Sequence, residues 1–549
     1  MDAATQPSPQ ETVNVAAHVS RMAEERPYAP AIFFPDGADA RGRVRYTHYT
    51  YRQLDEASDA IALGLRSIGL EPETRVALMV RPSLELFSLV FGLFKAGLAP
   101  VMVDPGIGLA NMKACLAKAR PEAFIGIPTA QAARLVLRWS PDSIRTVITV
   151  GPRGPWRGLT LDDIERRGRR DRGPALAPTK RDDLAAILFT SGSTGPPKGA
   201  VYTHGNFAAQ VDAIRRMYDI RPGEIDLPTF PLFALFDPAL GMTTVIPDMD
   251  PTRPAKADPV KIASAIEDFG VTNMFGSPAL LNALGRWGER ERRSLPCLKR
   301  VISAGAPVPT HVLRRMRAML PDDGEVVTPY GATECLPVAS IESREVLGET
   351  AERTAAGAGV CVGRPVPEAD VAIVAIDDGP IARMEDARVL EAGVVGEITV
   401  RGPQATRAYF EAPAQTALAK IDDGGAVRHR MGDLGYFDDE GRLWFCGRKA
   451  QRVETADRTW FTGRVEGVFD AHAAVFRSAL VKAGGRPVVC LELEPGRRRP
   501  TQSELQALAD AHEATRGITR FEFHPGFPVD IRHNAKIKRE QLGAWVAER

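Results

Sequence analysis

Apolar and polar positions along this chain repeat with two periods, one typical of helices and one typical of strands. A first helix is predicted after Thr50, which forms a capping box with Gln53, and Gly69 ends it. Its apolar positions recur at helical spacing: Leu54, Ala57, Ile61, Leu65 and Ile68. A strand at 75–80, a helix at 84–96 and a strand at 99–103 follow. This alternation predicts an α/β fold with mainly parallel sheets.

The alternation of strands and helices resumes near residue 206, and short strands and turns replace it from about Asp370. Helices are predicted at 206–218 and 259–269, and strands at 245–246, 273–276 and 301–304. From about Asp370 the pattern predicts short strands and turns, at 371–376, 396–401 and 442–445. The tail pattern predicts a helix at 465–471, a strand at 487–494 and a helix at 503–512. We therefore expect a large N-terminal body (1–448) of α/β subdomains with a small β-rich subdomain, and a small mobile C-terminal α+β lid domain (449–549).

Composition narrows the class of protein. The 549 residues carry 70 Lys and Arg against 69 Asp and Glu, and this balance argues against nucleic-acid and membrane-surface partners. The six cysteines form no Cys-x-x-Cys pair, which fits a reducing compartment. The polar start lacks the features of a signal peptide, and the apolar stretch 86–94 is far short of the ~20 residues of a membrane span. We expect a cytoplasmic protein without a transmembrane segment.

A loop rich in glycine and hydroxyl residues carries the first chemical signal. Residues 190–199, Thr-Ser-Gly-Ser-Thr-Gly-Pro-Pro-Lys-Gly, lie between the apolar runs 184–189 and 200–202. Glycines allow the backbone N–H groups to approach a ligand, hydroxyls add donors, and Lys198 adds charge, so the loop suits a polyphosphate. It is not a P-loop, because Gly199 rather than Ser or Thr follows the lysine. A flexible Ser/Gly loop is the structural alternative.

Further segments, in order along the chain, resemble motifs of the adenylate-forming superfamily of acyl-CoA synthetases, luciferases and peptide-synthetase adenylation domains. The resemblance covers about 50–536, nearly the whole chain. Its motifs are Gly305-Ala306-Pro307, Tyr330-Gly331-Ala332-Thr333-Glu334, Gly396 to Pro403, Gly432-Asp433 with Gly447-Arg448, and Lys536. One such motif alone is weak evidence, whereas this ordered series is specific.

The resemblance implies that the chain binds ATP and Mg²⁺ and adenylates a carboxylate. The loop residues Thr190, Ser191, Gly192, Ser193, Thr194, Gly195 and Lys198 would hold the β- and γ-phosphates. The segments 305–307 and 330–332 would contact adenine, with the face of Tyr330 stacked on it. Asp433 would accept bonds from the ribose with Arg448 nearby, Thr333 would bond the α-phosphate, Glu334 would bind Mg²⁺, and Lys536 would approach the α-phosphate when the lid closes. Taken singly, Tyr330 could be a core aromatic, Asp433 a turn residue and Glu334 a surface acid.

An apolar stretch is the candidate acyl site. Acyl-CoA synthetases often have His after Pro-Leu-Phe, and here that position is Ala234. The surrounding side chains would suit an alkyl chain: Phe230, Phe233, Phe236, Leu240 and Met242. Ordinary core packing is the alternative for all of them.

The hinge and the loop after it depart from the family pattern. Where the family usually has an acid or lysine as the pivot of the lid, this chain has Ala450. Where the family has a lysine and a glycine that helps to line the thiol tunnel, an ungapped alignment places Glu454 and Asp457. A side chain at Asp457 would crowd or repel a pantetheine, so we expect an enzyme that forms an acyl adenylate but transfers it poorly to coenzyme A. Sequence drift within an ordinary ligase is the alternative.

A nucleophile within the substrate itself, such as the hydroxyl of a β-hydroxy acid, could attack the activated carboxyl, and no external thiol would then be needed. The whole chain, including its tail Pro528 to Ile537, closely resembles the β-lactone synthetases of bacterial long-chain olefin biosynthesis. The resemblance implies a 2-alkyl-3-hydroxy fatty acid substrate and association with other olefin-pathway enzymes. Two alternatives remain, a fatty acyl-AMP or acyl-CoA ligase and a non-catalytic nucleotide-binding scaffold. His204 is a further polar candidate, although a histidine there is more often structural.

Overall fold

The computed structural model describes residues 12–103, 105–190, 197–529 and 536–549. Two compact units divide the chain. The first comprises Met1–Asp248, Lys261–Phe275 and Pro403–Thr416, and the second comprises Met249–Val260, Gly276–Gly402 and Ala417–Arg549. The helices, in chain order, are α1 Ala17–Glu25, α2 Tyr51–Ser67, α3 Leu84–Lys95, α4 Leu109–Ala119, α5 Pro128–Val136, α6 Leu161–Gly168, α7 His204–Met217, α8 Pro231–Ala234, α9 Asp237–Leu240, α10 Pro259–Phe269, α11 Pro278–Glu291, α12 Thr310–Arg317, α13 Ser343–Glu345, α14 Ala351–Ala355, α15 Pro413–Ala419, α16 Thr462–Asp470, α17 Gln502–Ala511 and α18 Arg539–Ala547.

The strands include every strand predicted from the sequence, with boundaries that differ by a few residues. They are β1 Pro30–Ala38, β2 Val44–Thr50, β3 Arg75–Met79, β4 Ala99–Val103, β5 Ala123–Gly126, β6 Thr146–Thr149, β7 Leu159–Thr160, β8 Leu184–Thr190, β9 Lys198–Thr203, β10 Ile225–Pro228, β11 Thr243–Val245, β12 Asn273–Phe275, β13 Arg300–Ile302, β14 Glu325–Ala332, β15 Cys335–Glu342, β16 Val360–Pro365, β17 Asp370–Val374, β18 Gly396–Arg401, β19 Lys420–Asp423, β20 Ala426–Phe437, β21 Leu443–Arg448, β22 Val453–Glu454, β23 Thr459–Trp460, β24 Val475–Ala483, β25 Arg486–Leu493 and β26 Phe521–Phe523.

The first unit contains the predicted, mainly parallel sheets. One sheet has the order β7-β6-β5-β3-β4-β8-β9 and is parallel except for the β8–β9 pair. A second group of strands, in the order β12-β10-β11-β1-β2, is parallel except for β1–β2. The predicted α/β class is therefore confirmed for this unit.

Helices α2 and α3 show how the sequence pattern sets the packing of the first unit. Thr50 and Gln53 form the predicted capping box at the start of α2. Every residue from Leu86 to Lys95 in α3 is buried, so the apolar stretch of the sequence is a core helix. The Lys95 ammonium has no exposure and lies 2.5 Å from the carboxylates of Asp55 and Asp59, which compensate its burial. Within the described ranges, no helix has the length and apolar character needed to cross a bilayer.

The second unit holds the β-rich part of the chain. Its largest array has the order β17-β18-β20-β21-β16-β15-β14-β13, and only β13 and β14 are parallel. The predicted strand 442–445 extends to Arg448, because β21 pairs with β16 on one side and with β20 on the other. The predicted strand 301–304 ends earlier, at Ile302. The change to short strands and turns that was expected after Asp370 is therefore confirmed.

The C-terminal segment, residues 449–549, has the predicted α+β composition. Strands β24, β25 and β26 form a three-stranded sheet. Alternate residues face opposite sides, so Leu480 packs in a cluster with α16 and α17 whereas Val481 packs in a cluster with α18. The boundary at residue 448, and the mobility of the segment as a lid, stay predictions.

A buried histidine leads to a prediction about acid stability. His204, the first residue of α7, has no exposure, and its Nδ1 lies 3.3 Å from the backbone nitrogen of Val15, whose N–H it accepts. Burial lowers its pKa to about 4, with Asp183 opposing this shift. Since an unfolded histidine protonates first as the pH falls, the folded state loses stability between about pH 6.5 and 4.

We expect the His204→Asn variant, which keeps an acceptor for Val15, to lose less stability in acid than the wild type. The difference between the two losses of unfolding free energy, from pH 7 to pH 4, should be about 3 kcal/mol. Denaturant unfolding at both pH values measures this difference. Equal losses for the two proteins would show that His204 does not titrate in this way.

Candidate functional site

The glycine loop begins and ends on paired strands of the first unit. Thr190 of β8 is paired with Lys198 of β9, and residues 191–196, which include five of the predicted phosphate ligands, lie outside the described residues. A larger residue at Gly199 would force its neighbours to shift, because a Cβ there would lie 2.9 Å from the Ile187 side chain and 3.0 Å from that of Phe189. The two strands predicted on either side of the loop are confirmed.

The position of this loop in the sheet suits a ligand site. Strand β8 is parallel to β4, so the loop follows the carboxyl end of a strand in a parallel array. Open α/β sheets bind ligands outside the carboxyl ends of their strands. At the other end of the loop, the Lys198 ammonium lies 5.3 Å from the centre of the Tyr409 ring, a cation–π contact that helps to orient it.

The two predicted adenine segments of the second unit lie on neighbouring parallel strands, one after the end of β13 and the other in the last residues of β14. Ile302 of β13 is paired with Val327 of β14, and the backbone N–H of Ser303 donates to the Val327 carbonyl at 3.0 Å. Gly305, with a φ of +92°, turns the chain directly after this bond. The segment 305–307 therefore follows the carboxyl end of β13, and residues 330–332 are the last residues of β14, beyond its pairing with β13.

Tyr330, Asp433 and Arg448 form a connected polar group. The Tyr330 hydroxyl donates to Asp433 Oδ2 at 2.8 Å, and Arg448 Nε lies 3.1 Å from Asp433 Oδ1. Strands β20 and β21 place Asp433 opposite Arg448. Asp433 is 3% exposed, and its Oδ1 accepts no well-oriented hydrogen bond from any described residue. A buried acceptor with spare capacity fits a ligand that donates hydroxyls.

Burial and neighbouring groups shift the pKa values of Asp433 and Tyr330. Burial raises the pKa of Asp433, whereas Arg448 and the Tyr330 hydroxyl lower it by stabilising the carboxylate. Burial and the neighbouring Asp433 raise the pKa of Tyr330 well above its usual range. The Tyr330 phenol is therefore neutral at physiological pH and serves as a donor to the carboxylate.

Thr333 and Glu334 form the two-residue turn between β14 and β15, where Ala332 is paired with Cys335. The sequence did not single out Lys420, the first residue of β19, which is 8% exposed and interacts electrostatically with Glu334. Burial lowers the pKa of Lys420 to about 8, and Glu334 opposes the shift. Lys420 and Glu334 are 86 residues apart in sequence, so only the tertiary fold brings them together.

The donor set around Glu334 can be compared with what Mg²⁺ requires. No group of three or more His, Cys, Asp or Glu side chains that could hold a metal occurs in the described part of the chain. Mg²⁺ is often held by one or two carboxylates together with substrate phosphates, so a single half-buried Glu334 fits an ion that binds with a nucleotide.

The structure separates the predicted acyl-site residues into two groups. Phe230, Phe233 and Phe275 form an aromatic series, with ring centres 5.6 Å and 4.2 Å apart. Phe230 and Phe233 are only partly buried. Ala234 is fully buried in the main core of the first unit, and Met242, 1% exposed, packs in a core cluster against α7. The remaining two are Phe236, which contacts both clusters, and Leu240, which packs with Met242.

The hinge and tail residues lie on exposed turns. Ala450 is exposed in a turn, and Asp457 is exposed in the connection between β22 and β23. Gly447, with a φ of +120°, lies against Thr462 at the start of α16, where a Cβ would collide with the threonine hydroxyl. Lys536 is exposed and directly precedes Ile537, which bridges to Val529. The tail residues 530–535 lie outside the described residues.

Comparisons with known proteins bear on this arrangement. A family model described as AMP-binding enzyme matches residues 19–410. The chain is 53% identical over 549 residues to the olefin beta-lactone synthetase of Xanthomonas campestris pv. campestris, covering 97% of this chain and 98% of that protein. It is 53% identical over 547 residues to the olefin beta-lactone synthetase of Stenotrophomonas maltophilia, with the same coverage. The amide bond synthetase McbA from Marinactinospora thermotolerans shares the fold, with a TM-score of 0.77 and 23% identity over 97% of this chain and 99% of that chain.

Proposed function

The chain belongs to the AMP-binding enzyme family, and from this membership we propose that it is an ATP-dependent β-lactone synthetase. It adenylates the carboxylate of a 2-alkyl-3-hydroxy fatty acid and releases pyrophosphate. The 3-hydroxyl then loses its proton and attacks the activated carbonyl, and the four-membered lactone closes as AMP leaves. The observation that carries this proposal is the near-full-length similarity to two olefin beta-lactone synthetases.

In this proposal separate groups of residues contact the phosphates, the ribose and the adenine of the nucleotide. The loop 190–199 holds the β- and γ-phosphates through backbone N–H groups and Lys198. The spare acceptor capacity of Asp433 Oδ1 supports its role with the ribose hydroxyls, and Arg448 stabilises the charged form of this carboxylate. The Tyr330 ring faces adenine while its hydroxyl orients Asp433. Glu334 would hold Mg²⁺, which would supply positive charge to offset the charge of the phosphates.

The carboxylate and the α-phosphate are both anions, and their repulsion has to be overcome before they react. Lys536 supplies a positive charge to both when the segment 449–549 turns as a lid about Ala450. Thr333, in the turn beside Glu334, bonds the α-phosphate. The partly buried Phe230 and Phe233 contact the alkyl chain, whereas the core packing of Met242 favours a supporting role for that residue.

The hairpin β22–β23 supports the proposal that the acyl group is transferred to the substrate's own 3-hydroxyl and not to coenzyme A. Its connection exposes Asp457 where thioester-forming relatives have the glycine that lines a thiol tunnel. A carboxylate at this position repels the phosphates of coenzyme A and crowds its pantetheine arm. The 3-hydroxyl needs no such tunnel, because it is already part of the bound acyl group.

The decisive assay uses a 2-alkyl-3-hydroxy fatty acid, ATP and Mg²⁺, with and without coenzyme A. We expect AMP, pyrophosphate and a β-lactone, identified by NMR, in equal amounts under both conditions. The matched acid without the 3-hydroxyl is the control, and it should give pyrophosphate but no lactone. A product that forms only with coenzyme A and is a thioester would contradict the proposal in favour of an acyl-CoA ligase. Absence of pyrophosphate release from any acid would favour a nucleotide-binding scaffold.

A further inference from the structure

An arginine close to Lys536 connects three parts of the C-terminal segment. Arg539 is the first residue of α18, and its guanidinium forms a two-pronged ion pair with Glu466 of α16. Its Nη1 lies 2.5 Å from Oε1 and its Nη2 lies 2.8 Å from Oε2. Arg539 Nε also donates to the Gln451 side-chain oxygen at 3.1 Å, and Nη1 donates to the Leu480 carbonyl at 3.3 Å. A planar guanidinium held at each of its nitrogens has a fixed orientation.

The partner of Arg539 is itself fixed. The Oε1 of Glu466 accepts the backbone N–H of Leu480 in β24 at 2.8 Å. The side chains of Arg539 and Glu466 are 16% and 14% exposed, so the pair is largely shielded from water. Burial raises the pKa of Glu466, and Arg539 counteracts this by stabilising the carboxylate. The pair is therefore stronger than an exposed surface ion pair.

The same anchor determines where Lys536 can be. The backbone between them is short and held: the Lys538 N–H donates to the Pro528 carbonyl at 2.8 Å, and the Arg539 N–H donates to the Ile537 carbonyl at 3.0 Å. Ile537 also bridges to Val529. The exposed Lys536 is therefore the first residue of the stretch 536–539. The last residue of this stretch, Arg539, binds Glu466 of α16 and Gln451 of the hinge.

The hinge residues on either side of Ala450 have different partners. The Lys449 ammonium lies 3.1 Å from Glu397 of β18 and 2.8 Å from the Asp377 carbonyl. Gln451, the next residue but one, binds Arg539 of the C-terminal segment. The exposed Ala450 therefore separates a residue tied to β18 from a residue tied to the stretch that carries Lys536.

We propose that Arg539 is a positioning residue for adenylation, which fixes Lys536 relative to the hinge so that rotation about Ala450 delivers the lysine to the reacting groups. This inference rests on the proposed function, because it assigns Lys536 to adenylate formation. Arg539 does not touch the substrate in this scheme. Its loss acts through the placement of Lys536, and a misplacement of about 1 Å can cost about a hundredfold in rate.

The test must separate positioning from stability, because Arg539→Gln leaves Glu466 shielded and unpaired. The double variant Glu466→Gln/Arg539→Gln removes both charges and should recover most of the melting temperature lost in the single variant. We expect both variants to show kcat for acid-dependent ATP–pyrophosphate exchange lowered by about tenfold or more, with KM for ATP within about threefold of wild type. Arg498→Gln, which breaks the exposed pair with Glu504, is the matched control and should leave kcat unchanged.

Recovery of kcat together with the melting temperature in the double variant would overturn the inference, because the pair would then be purely structural. A rise in KM for ATP at unchanged kcat would overturn it as well. Failure of the proposed function has a different signature in the same assay: the wild type would show no acid-dependent exchange, or Lys536→Ala would exchange at the wild-type rate. Either result would remove the basis for assigning a positioning role to Arg539.

Discussion

Replacing Lys536 with alanine should lower kcat for acyl-adenylate formation by about 10²- to 10³-fold, the loss typical when one preorganised charge is removed from a transition state. The Kd for ATP should stay within about threefold of wild type, because in our proposal the lysine meets the α-phosphate only as the lid closes. We expect Lys536→Ala to fold normally, because Lys536 is exposed and its neighbours are held by backbone hydrogen bonds.

ATP–pyrophosphate exchange measures the rate, and equilibrium titration with ATP measures the affinity. Lys538→Ala is the matched control, because it removes the same charge from an exposed position two residues away. Similar losses in both variants would point to a general field of positive charge rather than to a specific contact. An unchanged exchange rate in Lys536→Ala would remove this residue from the reaction.

Local chemistry made part of the fold predictable. Thr50 and Gln53 signal a helix start by themselves, because a capping box needs only residues three apart. The strand Gly396–Arg401 was also predictable, since its predicted and observed ends coincide. Strand ends that depend on a partner were less predictable, as at Arg448, where pairing with two neighbouring strands extends β21.

The candidate site shows the same division. The motif containing Tyr330 and the one containing Asp433 could be found in the sequence, but their hydrogen bond joins residues 103 apart and depends on the order of strands in the sheet. Lys420 gave no signal, because nothing near it in sequence distinguishes a buried lysine from an exposed one. Met242 was predicted for the acyl site but packs in a core cluster. An apolar residue near a pocket motif has the same sequence pattern as one in the core.

The Asp433→Asn variant should raise the KM for ATP by about a hundredfold, because bonds from ribose hydroxyls to a charged acceptor contribute about 1.5–3 kcal/mol each. Asparagine keeps the volume and can still accept the Tyr330 hydroxyl, which donates to Oδ2 in the wild type. Its NH₂ group, which takes the position of Oδ1 in the wild type, cannot accept a hydrogen bond and places N–H donors against Arg448. The effect should therefore fall on nucleotide binding.

Tyr330→Phe separates the two roles combined in this group. It keeps the ring that faces adenine and removes only the hydroxyl that orients Asp433, so the KM for ATP should rise by only about two- to fivefold. Steady-state exchange at varied ATP gives both values, and melting temperatures show whether either variant is misfolded. Equal effects in the two variants would mean that Asp433 acts through Tyr330 alone. A normal KM in Asp433→Asn would mean that Asp433 Oδ1 is not where the ribose binds.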